Sequence, residues 1–393
     1  MISFEEALTI VLNSAILTDE ETVSLDHCTG RVLSRDVFSD MDMPPFHKSA
    51  VDGFACRMED IRSGIREFRV IETIAAGGVP EYKTGPGTCS RIMTGGMLPD
   101  GADVVIMVED TRKSVPDMVT LLKEPTGANI CVQAEDIKSG EKVLDRGTRI
   151  TPAHVAVLAS VGETSVWVAR QPEAAVISTG NEIIEPGRKP GKAQIRDSNS
   201  GQLMAQVRQV PSIASYLGIA GDTPGNLREI ISSGLNSSDI ILLTGGVSMG
   251  DFDYVPAVME ALDAEILFKS IAIQPGRPTV FARISNKFIF GLPGNPVSSF
   301  VLFELLVKPF ILKMMGCDYK PLVLSLPLGV GFSRKKSGRK SVIPVRIDDG
   351  LVFPVEYHGS AHINAYTKAG AMMIMDIGQT FANKGDLVHV RPL

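Results

Sequence analysis

The chain has few of the features that mark several large classes of protein. It carries only five cysteines in 393 residues, and no two of them form a CxxC pair. They are Cys28, Cys56, Cys89, Cys131 and Cys317. The odd count, the scattered positions and the lack of a secretory signal at the amino terminus predict a protein of the reducing cytoplasm, not a secreted disulfide scaffold.

Long apolar runs and blocks of basic residues are also missing. No apolar run reaches the roughly 18 residues of a membrane span, so we expect no membrane association. The net charge of −6 argues against a general nucleic-acid binder. It leaves an anionic substrate open, because a site needs only local positive charge. No Ser/His/Asp or Cys/His set suggests covalent catalysis. The composition, 44% apolar and 21% charged, is typical of a globular protein.

Two glycine-rich runs carry most of the information in the chain. They lie at 243–251 (LTGGVSMGD) and 291–296 (GLPGNP), and each follows an apolar segment with no polar face. Such segments are typical of parallel strands covered on both sides. Glycines let the backbone approach a ligand, and the helix that should follow adds positive potential. With acids at Asp251 and Asp253, the two turns predict a site for an anionic ligand beyond the strand ends.

The periodicity of apolar residues predicts a mixed architecture. A strand-rich stretch with frequent glycine and proline extends from about 22 to about 132. From Glu173, strands alternate with helices, which predicts βαβ units and a mostly parallel sheet. After Cys317 the β-like runs return, at 342–347, 351–355 and 387–390. The predicted helices are 3–14, 151–161, one that begins at 197–199 and is stopped by Pro211, and 227–235; the predicted buried strands are 174–177 and 240–243.

Seven motifs occur in a fixed order along the whole chain. They are 49–55 (SAVDGFA), 91–95 (RIMTG), 178–182 (STGNE), 197–199 (DSN), 245–254 (GGVSMGDFDY), 275–278 (PGRP) and 291–296 (GLPGNP). With this ordered set the chain resembles the MoeA-type molybdopterin molybdenumtransferases, the family that includes the E domain of gephyrin. One such motif alone would be weak evidence, and the set is strong evidence.

The resemblance implies an α/β plus β multidomain fold in an elongated homodimer. It implies an elongated N-terminal domain at 1–48 and 138–169, and an inserted strand-rich domain at 49–137. A MogA-like α/β domain with a mostly parallel sheet would follow at 170–316, and a small β-barrel-like domain at 317–393. The implied reaction inserts molybdenum from molybdate into adenylylated molybdopterin and releases AMP with Mg²⁺. The implied partners are those two substrates, the preceding adenylyltransferase and the recipient molybdoenzymes.

The resemblance also assigns roles to residues of this chain. Asp52 and Thr94 would act across the dimer interface, and Lys269 matches another functional position. Glu182, Asp222 and Asp253 match acids of the α/β cleft that would hold Mg²⁺. The substrate-binding positions are Ser178, Thr179, Gly180, Gly245, Gly246, Ser248, Gly250, Asp251, Pro293, Gly294, Asn295 and Pro296. The molybdate-binding positions are Arg277, Pro278, Arg339, Arg346 and Ser360.

Elementary chemistry agrees with this assignment. A pyrophosphate needs N–H donors and a hard cation, and Mg²⁺ takes carboxylate and phosphate oxygens. Molybdate is a tetrahedral dianion and needs backbone donors and cationic side chains. The run 275–278 is the predicted place for it.

Several departures and local alternatives leave other interpretations open. Gln274 stands where the family often has lysine, Arg277 where lysine is common, and 131–134 (CVQA) where arginines are frequent. A weakened paralogue that acts as a molybdopterin-binding or scaffold protein is one alternative, and an adenylyltransferase-like enzyme is another. Locally, Asp222 would equally suit a helix cap near Pro224, and Lys269 would suit an exposed surface position.

Overall fold

The computed structural model describes residues 1–247, 254–357 and 359–393. The chain divides into two compact units. The first contains Met1–Arg35, Arg146–Pro152 and Ser165–Leu393, and the second contains Asp36–Asp145 and Ala153–Thr164. None of the helices in the described ranges is long and apolar enough to cross a bilayer. The four predicted domain ranges stay a prediction.

Eight α-helices occur in the described ranges, and the predicted helices are confirmed among them. They are α1 Phe4–Ser14, α2 Met58–Arg62, α3 Pro152–Ser160, α4 Asn199–Arg208, α5 Pro224–Ser237, α6 Val255–Ala261, α7 Pro296–Leu302 and α8 Lys308–Met314. A π-helical segment, Phe303–Val307, joins α7 to α8. Short 3-10 helices lie at Leu25–His27, Val108–Asp110 and Ile363–Thr367.

The strands are numerous and mostly short. From the amino terminus to the middle of the chain they are β1 Glu20–Ser24, β2 Val37–Phe38, β3 Lys48–Ser49, β4 Gly53–Cys56, β5 Glu67–Ile74, β6 Thr88–Ile92, β7 Val104–Met107, β8 Thr111–Lys113, β9 Met118–Leu121, β10 Ile130–Cys131, β11 Lys142–Leu144, β12 Ser165–Ala169, β13 Glu173–Thr179 and β14 Ile183–Ile184. The others are β15 Ile195–Arg196, β16 Ile213–Ala220, β17 Ile240–Thr244, β18 Glu265–Phe268, β19 Ile273–Gln274, β20 Val280–Ile284, β21 Lys287–Leu292, β22 Leu324–Pro327, β23 Phe332–Ser333, β24 Lys340–Asp348, β25 Leu351–Pro354, β26 Ala371–Met375, β27 Phe381–Ala382 and β28 Leu387–Pro392.

A six-stranded sheet forms the centre of the first unit, in the order β16-β13-β17-β21-β20-β18. The first four of these strands are parallel, as predicted, whereas β20 and β18 each pair antiparallel with their neighbours. The four parallel strands follow one another in the chain as β13, β16, β17 and β21. In the sheet, however, β16 lies on one side of β13 and β17 lies on the other, so the strand order reverses between β13 and β17. Ligands of such sheets bind beyond the carboxyl ends of the strands at this reversal.

The absence of a polar face on the predicted strands has a direct explanation. Along β13 and β17 successive side chains enter two different cores on opposite faces of the sheet. Val176 and Leu242 pack in one core, and Ile177 and Leu243 pack in the other, all with no exposed surface. Helices therefore cover both faces, and the central positions 174–177 and 240–243 are all apolar.

The other two large sheets are mainly antiparallel. In the second unit the order is β7-β4-β6-β5-β9-β8, with β5 and β6 the parallel pair. In the first unit a carboxyl-terminal sheet has the order β19-β24-β26-β28-β22, and β25 pairs with β24. The predicted β-runs after Cys317 are confirmed as β24, β25 and β28.

Candidate active site

A cavity of about 550 Å³ lies at the carboxyl edge of the parallel strands, and we call it the sheet-edge cavity. Ser178 of β13 is in register with Thr244 of β17, which is in register with Leu292 of β21. The loops that leave these strands therefore meet at one edge. The cavity is lined by Ser178, Thr179, Glu182, Ile183, Ile195, Arg196, Asp197, Ser198, Asn199, Gly294, Asn295, Pro296, Ala361 and Ile363.

Glycine is required where β17 ends. Gly245 has a φ of 101°, and a Cβ placed on it would lie 2.4 Å from the carbonyl oxygen of Thr179. Any side chain there would force β17 away from β13 and would also hold a strained backbone. The close approach of these two strand ends thus depends on the first glycine of the run.

Asp222 connects two strand ends through its side chain. Thr179 Oγ1 donates a hydrogen bond to Asp222 Oδ1 at 2.7 Å, and the Asn181 N–H donates to Oδ2 at 3.1 Å. The N–H of Asp222 donates in return to Asn181 Oδ1 at 3.1 Å.

The interpretation of Asp222 as a helix cap is therefore wrong. Thr223 caps α5, since its side chain accepts from the Asn226 N–H. The carboxylate of Asp222 is turned toward the end of β13, where two donors hold it.

Two residues of the cavity lining each carry a buried polar atom that has no partner in the described residues. Ser178 is 2% exposed and Asn199 is 7% exposed, and both line the sheet-edge cavity. Within the described residues neither Ser178 Oγ nor Asn199 Oδ1 has a hydrogen-bond partner. Native proteins rarely leave such atoms unpaired, so each of them requires a partner from a water or from a polar ligand.

Asn199 was not among the predicted site residues. The 197–199 motif was recognised only as the beginning of a helix and as part of the family pattern. Asp197 and Arg196 also line the cavity, and Asp197 Oδ1 accepts from the Ser200 N–H at 3.0 Å. Asp197, Ser198 and Asn199 all line the cavity, so the 197–199 motif was the signal that could have identified them.

Asp52 and Thr94 form a contact within the second unit. The backbone N–H and the Oγ1 hydroxyl of Thr94 both donate to Asp52 Oδ1, each at 2.7 Å. These bonds, the backbone one first, lower the pKa of the Asp52 carboxyl, and the charge of Arg91 acts in the same direction. Asp52 therefore stays ionised to a lower pH than an ordinary aspartate.

A second cavity, of about 490 Å³, has a different chemistry, and we call it the basic cavity. It is lined by Met1, Gln274, Arg277, Lys336, Ser337, Gly338 and Arg339. Two of the predicted molybdate-binding residues, Arg277 and Arg339, thus share one cavity. Arg339 Nη2 donates to Gln274 Oε1 at 3.4 Å. The Gln274 side chain accepts this hydrogen bond, whereas a lysine at the same position would repel the Arg339 guanidinium. This departure from the family pattern therefore has a structural role.

Other predicted residues lie outside the two cavities. Lys269 forms an exposed ion pair with Glu260 at 2.7 Å. Arg346 pairs with Asp348, and its guanidinium lies 4.8 Å from the ring centroid of Phe353. The roles of these residues, and those of Pro278 and Ser360, stay predictions. Ser248, Gly250, Asp251 and Asp253 lie outside the described residues.

Glu182 and Asp222 are the described acids that are predicted to hold a metal ion. Across residues 1–247, 254–357 and 359–393, no three Asp, Glu, His or Cys side chains are grouped to hold one. Mg²⁺ usually keeps several waters and takes only one or two carboxylates together with substrate phosphates. Glu182, whose carboxylate lies against Gly180, and Asp222 fit that smaller requirement.

Comparisons with known proteins agree along the full length. A family model described as the MoeA N-terminal region (domain I and II) matches residues 2–162. One described as a probable molybdopterin binding domain matches residues 175–313. The Molybdopterin molybdenumtransferase of Bacillus subtilis is 37% identical over 99% of this chain and 93% of its own. That of Staphylococcus epidermidis is 34% identical over 99% and 95%. A molybdopterin biosynthesis MoeA protein structure from Pyrococcus horikoshii covers both chains fully, with 29% identity and a TM-score of 0.87.

A MoeA N-terminal region followed by a molybdopterin-binding α/β domain defines a multidomain protein of molybdenum cofactor biosynthesis. The chain belongs to the MoeA family of molybdopterin molybdenumtransferases. The predictions of a transferase and of a MoeA-like multidomain fold are thereby confirmed.

Proposed function

We propose that this protein inserts molybdenum from molybdate into adenylylated molybdopterin and releases AMP in a Mg²⁺-dependent step. The observation that carries the proposal is the sheet-edge cavity. It collects predicted substrate-binding residues from the ends of separate strands around two buried, unpartnered polar atoms. Full-length similarity to molybdopterin molybdenumtransferases supports the same reaction.

The residues of the sheet-edge cavity would bind and orient the pterin substrate. Ser178 and Asn199 would contact the ligand on the buried side, and the loop 294–296 would position it from the third strand. Glu182 and Asp222, together with Asp253, would hold Mg²⁺. When bound, Mg²⁺ would neutralise charge on the phosphoanhydride. Thr179 and Asn181 hold the Asp222 carboxylate in one orientation, which favours a preorganised site.

The basic cavity would bind the molybdate dianion. Arg277, Lys336 and Arg339 supply positive charge in a small volume, and the Ser337 hydroxyl adds a donor. Gln274 Oε1 accepts from the guanidinium of Arg339, so an uncharged residue at this position would still contribute an acceptor beside that cation.

We further propose a cytoplasmic homodimer in which Asp52 and Thr94 of one subunit complete the sheet-edge cavity of the other. The proposal rests on the family resemblance. It is supported by the exposed, ionised carboxylate of Asp52, which Thr94 orients. The elongated N-terminal domain, the barrel-like C-terminal domain, the preceding adenylyltransferase and the recipient molybdoenzymes belong to the same proposal.

The decisive experiment measures AMP release from adenylylated molybdopterin, with and without molybdate and with and without Mg²⁺. Wild-type protein is compared with Asp52→Ala and with Asp145→Ala as a matched control. Asp145 is an exposed aspartate of the same unit, and it forms a surface ion pair with Lys142. We expect molybdate-dependent release that falls by about a hundredfold or more in Asp52→Ala, the usual effect of losing a group that acts on the reacting atoms. AMP release that ignores molybdate, or an unaffected Asp52→Ala protein, would overturn the proposal.

A further inference from the structure

The side-chain amide of Asn199 is locked in one orientation. Its Nδ2 donates to the carbonyl oxygen of Gly294 at 2.8 Å and to Thr244 Oγ1 at 2.8 Å. Thr244 Oγ1 in turn donates to the carbonyl oxygen of Pro293 at 3.3 Å. These bonds connect the first turn of α4 with the ends of β17 and β21.

Rotation of the amide by 180° is excluded by the direction of these bonds. A carbonyl oxygen such as that of Gly294 can only accept, so it must face the Asn199 NH₂ group. The single proton of the Thr244 hydroxyl is already directed at Pro293, so this oxygen also accepts from Asn199. Asn199 Oδ1 is therefore the atom left without a partner in the described residues.

This oxygen can act only as an acceptor, and it is buried. An unpaired buried acceptor is unfavourable, and a ligand that brings a donor would remove the penalty. Ser178 Oγ, beside it in the cavity lining, can donate or accept and so discriminates less between ligands. Asn199 Oδ1 is therefore the atom that distinguishes ligands with a hydrogen-bond donor from ligands without one.

We propose that Asn199 Oδ1 accepts an N–H of the aminopyrimidinone edge of the pterin ring and thereby determines which heterocycle the sheet-edge cavity binds. This inference rests on the proposed function and assigns one specificity-determining residue to it. Phosphate oxygens are acceptors and would leave Asn199 Oδ1 unpaired. The pterin edge, in contrast, presents a ring N–H and an exocyclic amino group as donors. The matched molybdopterin-binding region, 175–313, includes all the residues of this network.

The test is direct binding of small ring ligands to the full-length protein, first without and then with Mg²⁺, measured by isothermal titration calorimetry. The probes are pterin, 3-methylpterin, which lacks the ring N–H, lumazine, which lacks the amino group, and AMP. The proteins are the wild type, Asn199→Ala and Gln209→Ala. Gln209 is an exposed residue at the end of the same helix and serves as the control.

We expect wild-type and Gln209→Ala proteins to prefer pterin over at least one analogue by about tenfold, as for a hydrogen bond to a buried acceptor. Asn199→Ala should lose that preference. The same preference in Asn199→Ala and wild type would overturn the inference. So would an Asn199→Ala defect that appears only when Mg²⁺ is added, because it would identify Oδ1 as a metal ligand. Tight binding of AMP without pterin binding would overturn it as well, by assigning Oδ1 to the nucleotide.

Two arms keep the inference separate from other failures. If Asn199→Ala does not fold, the wild-type protein decides alone, because equal affinity for pterin and both analogues contradicts the inference. Failure of the proposed function would appear instead as wild-type AMP release that does not depend on molybdate. A protein that releases AMP correctly but ignores the pterin edge would contradict only the role of Asn199.

Discussion

The sheet-edge cavity and the basic cavity, both in the first unit, are similar in volume and opposite in chemistry. The lining of the sheet-edge cavity contains two acids, Glu182 and Asp197, and one cation, Arg196. It also contains a buried acceptor atom that has no donor among the described residues. The basic cavity has three cations, and none of the described residues that line it is acidic. The first suits a ligand that brings N–H groups and a cation, and the second suits a bare oxyanion. In the proposed reaction the first cavity would therefore take the pterin substrate with its cation, and the second would take the bare molybdate dianion.

The cavities also differ in what builds them. The sheet-edge cavity is formed by buried strand ends and by hydrogen bonds with one possible direction. The basic cavity is formed largely by exposed side chains such as Gln274, Arg277 and Lys336. We therefore expect changes of the backbone to damage the first and changes of charge to damage the second.

The largest expected effect is that of Gly245→Ala. The new Cβ would meet the Thr179 carbonyl, and the backbone strain alone costs about 1–3 kcal/mol. We expect loss of pterin binding and a lower free energy of unfolding, measured by urea titration. Gly225→Ala is the control, because a Cβ there meets nothing within 4 Å. If Gly245→Ala bound pterin normally, the claim that this cavity depends on its backbone would be refuted.

A smaller effect is expected from Arg339→Ala and Arg277→Ala. Removal of one charge-assisted contact should raise the KM for molybdate by about tenfold, while the affinity for pterin stays unchanged. Steady-state AMP release at varied molybdate measures the first quantity and fluorescence the second. Lys335→Ala, an exposed neighbour outside the cavity lining, should change neither. A parallel loss of pterin affinity would show that the two cavities are not chemically separate.

The smallest expected effect is a shift in the pH dependence of AMP release. It identifies the group whose protonation lowers the rate on the acid side of the pH profile. Thr94→Val removes one donor to Asp52, so the lowered pKa of that carboxyl rises toward its ordinary value. Asp52 then becomes protonated at a higher pH, and the acid limb should move upward by up to about one pH unit. Thr73→Val, an exposed strand position of the same unit, is the control. If the acid limb does not move in Thr94→Val, the loss of activity at low pH is assigned to the acids of the sheet-edge cavity instead of Asp52.

Much of the central fold was predictable from local patterns. The apolar runs that begin β17 and precede the second glycine run have one structural explanation, burial on both faces, and the structure confirms it. The helix that begins at Asn199 and the helix at 227–235 were predicted for similar reasons. The antiparallel strands β18 and β20 were not separately recognised, because strand direction depends on pairing and leaves little trace in a single strand.

The site shows the same division. Asp222 and Thr223 are adjacent and both are good helix caps, so the sequence could not decide between them. Thr179, which is 43 residues away in the chain, donates a hydrogen bond to Asp222 and orients its carboxylate toward the end of β13. Thr223 is therefore the residue that caps α5. Likewise, Arg277 and Arg339 are both predictable as anion-binding residues, but only the fold brings them into one cavity.

The sequence by itself determined the family and the parallel strands, because these depend on composition and short-range order. The tertiary structure decided which polar atoms are satisfied and which remain open. The orientation of Asn199 follows from Thr244, Pro293 and Gly294, which reach it from the ends of two other strands. The direction of each hydrogen bond follows from the positions of its donor and its acceptor. These groups meet at the sheet edge only in the folded chain.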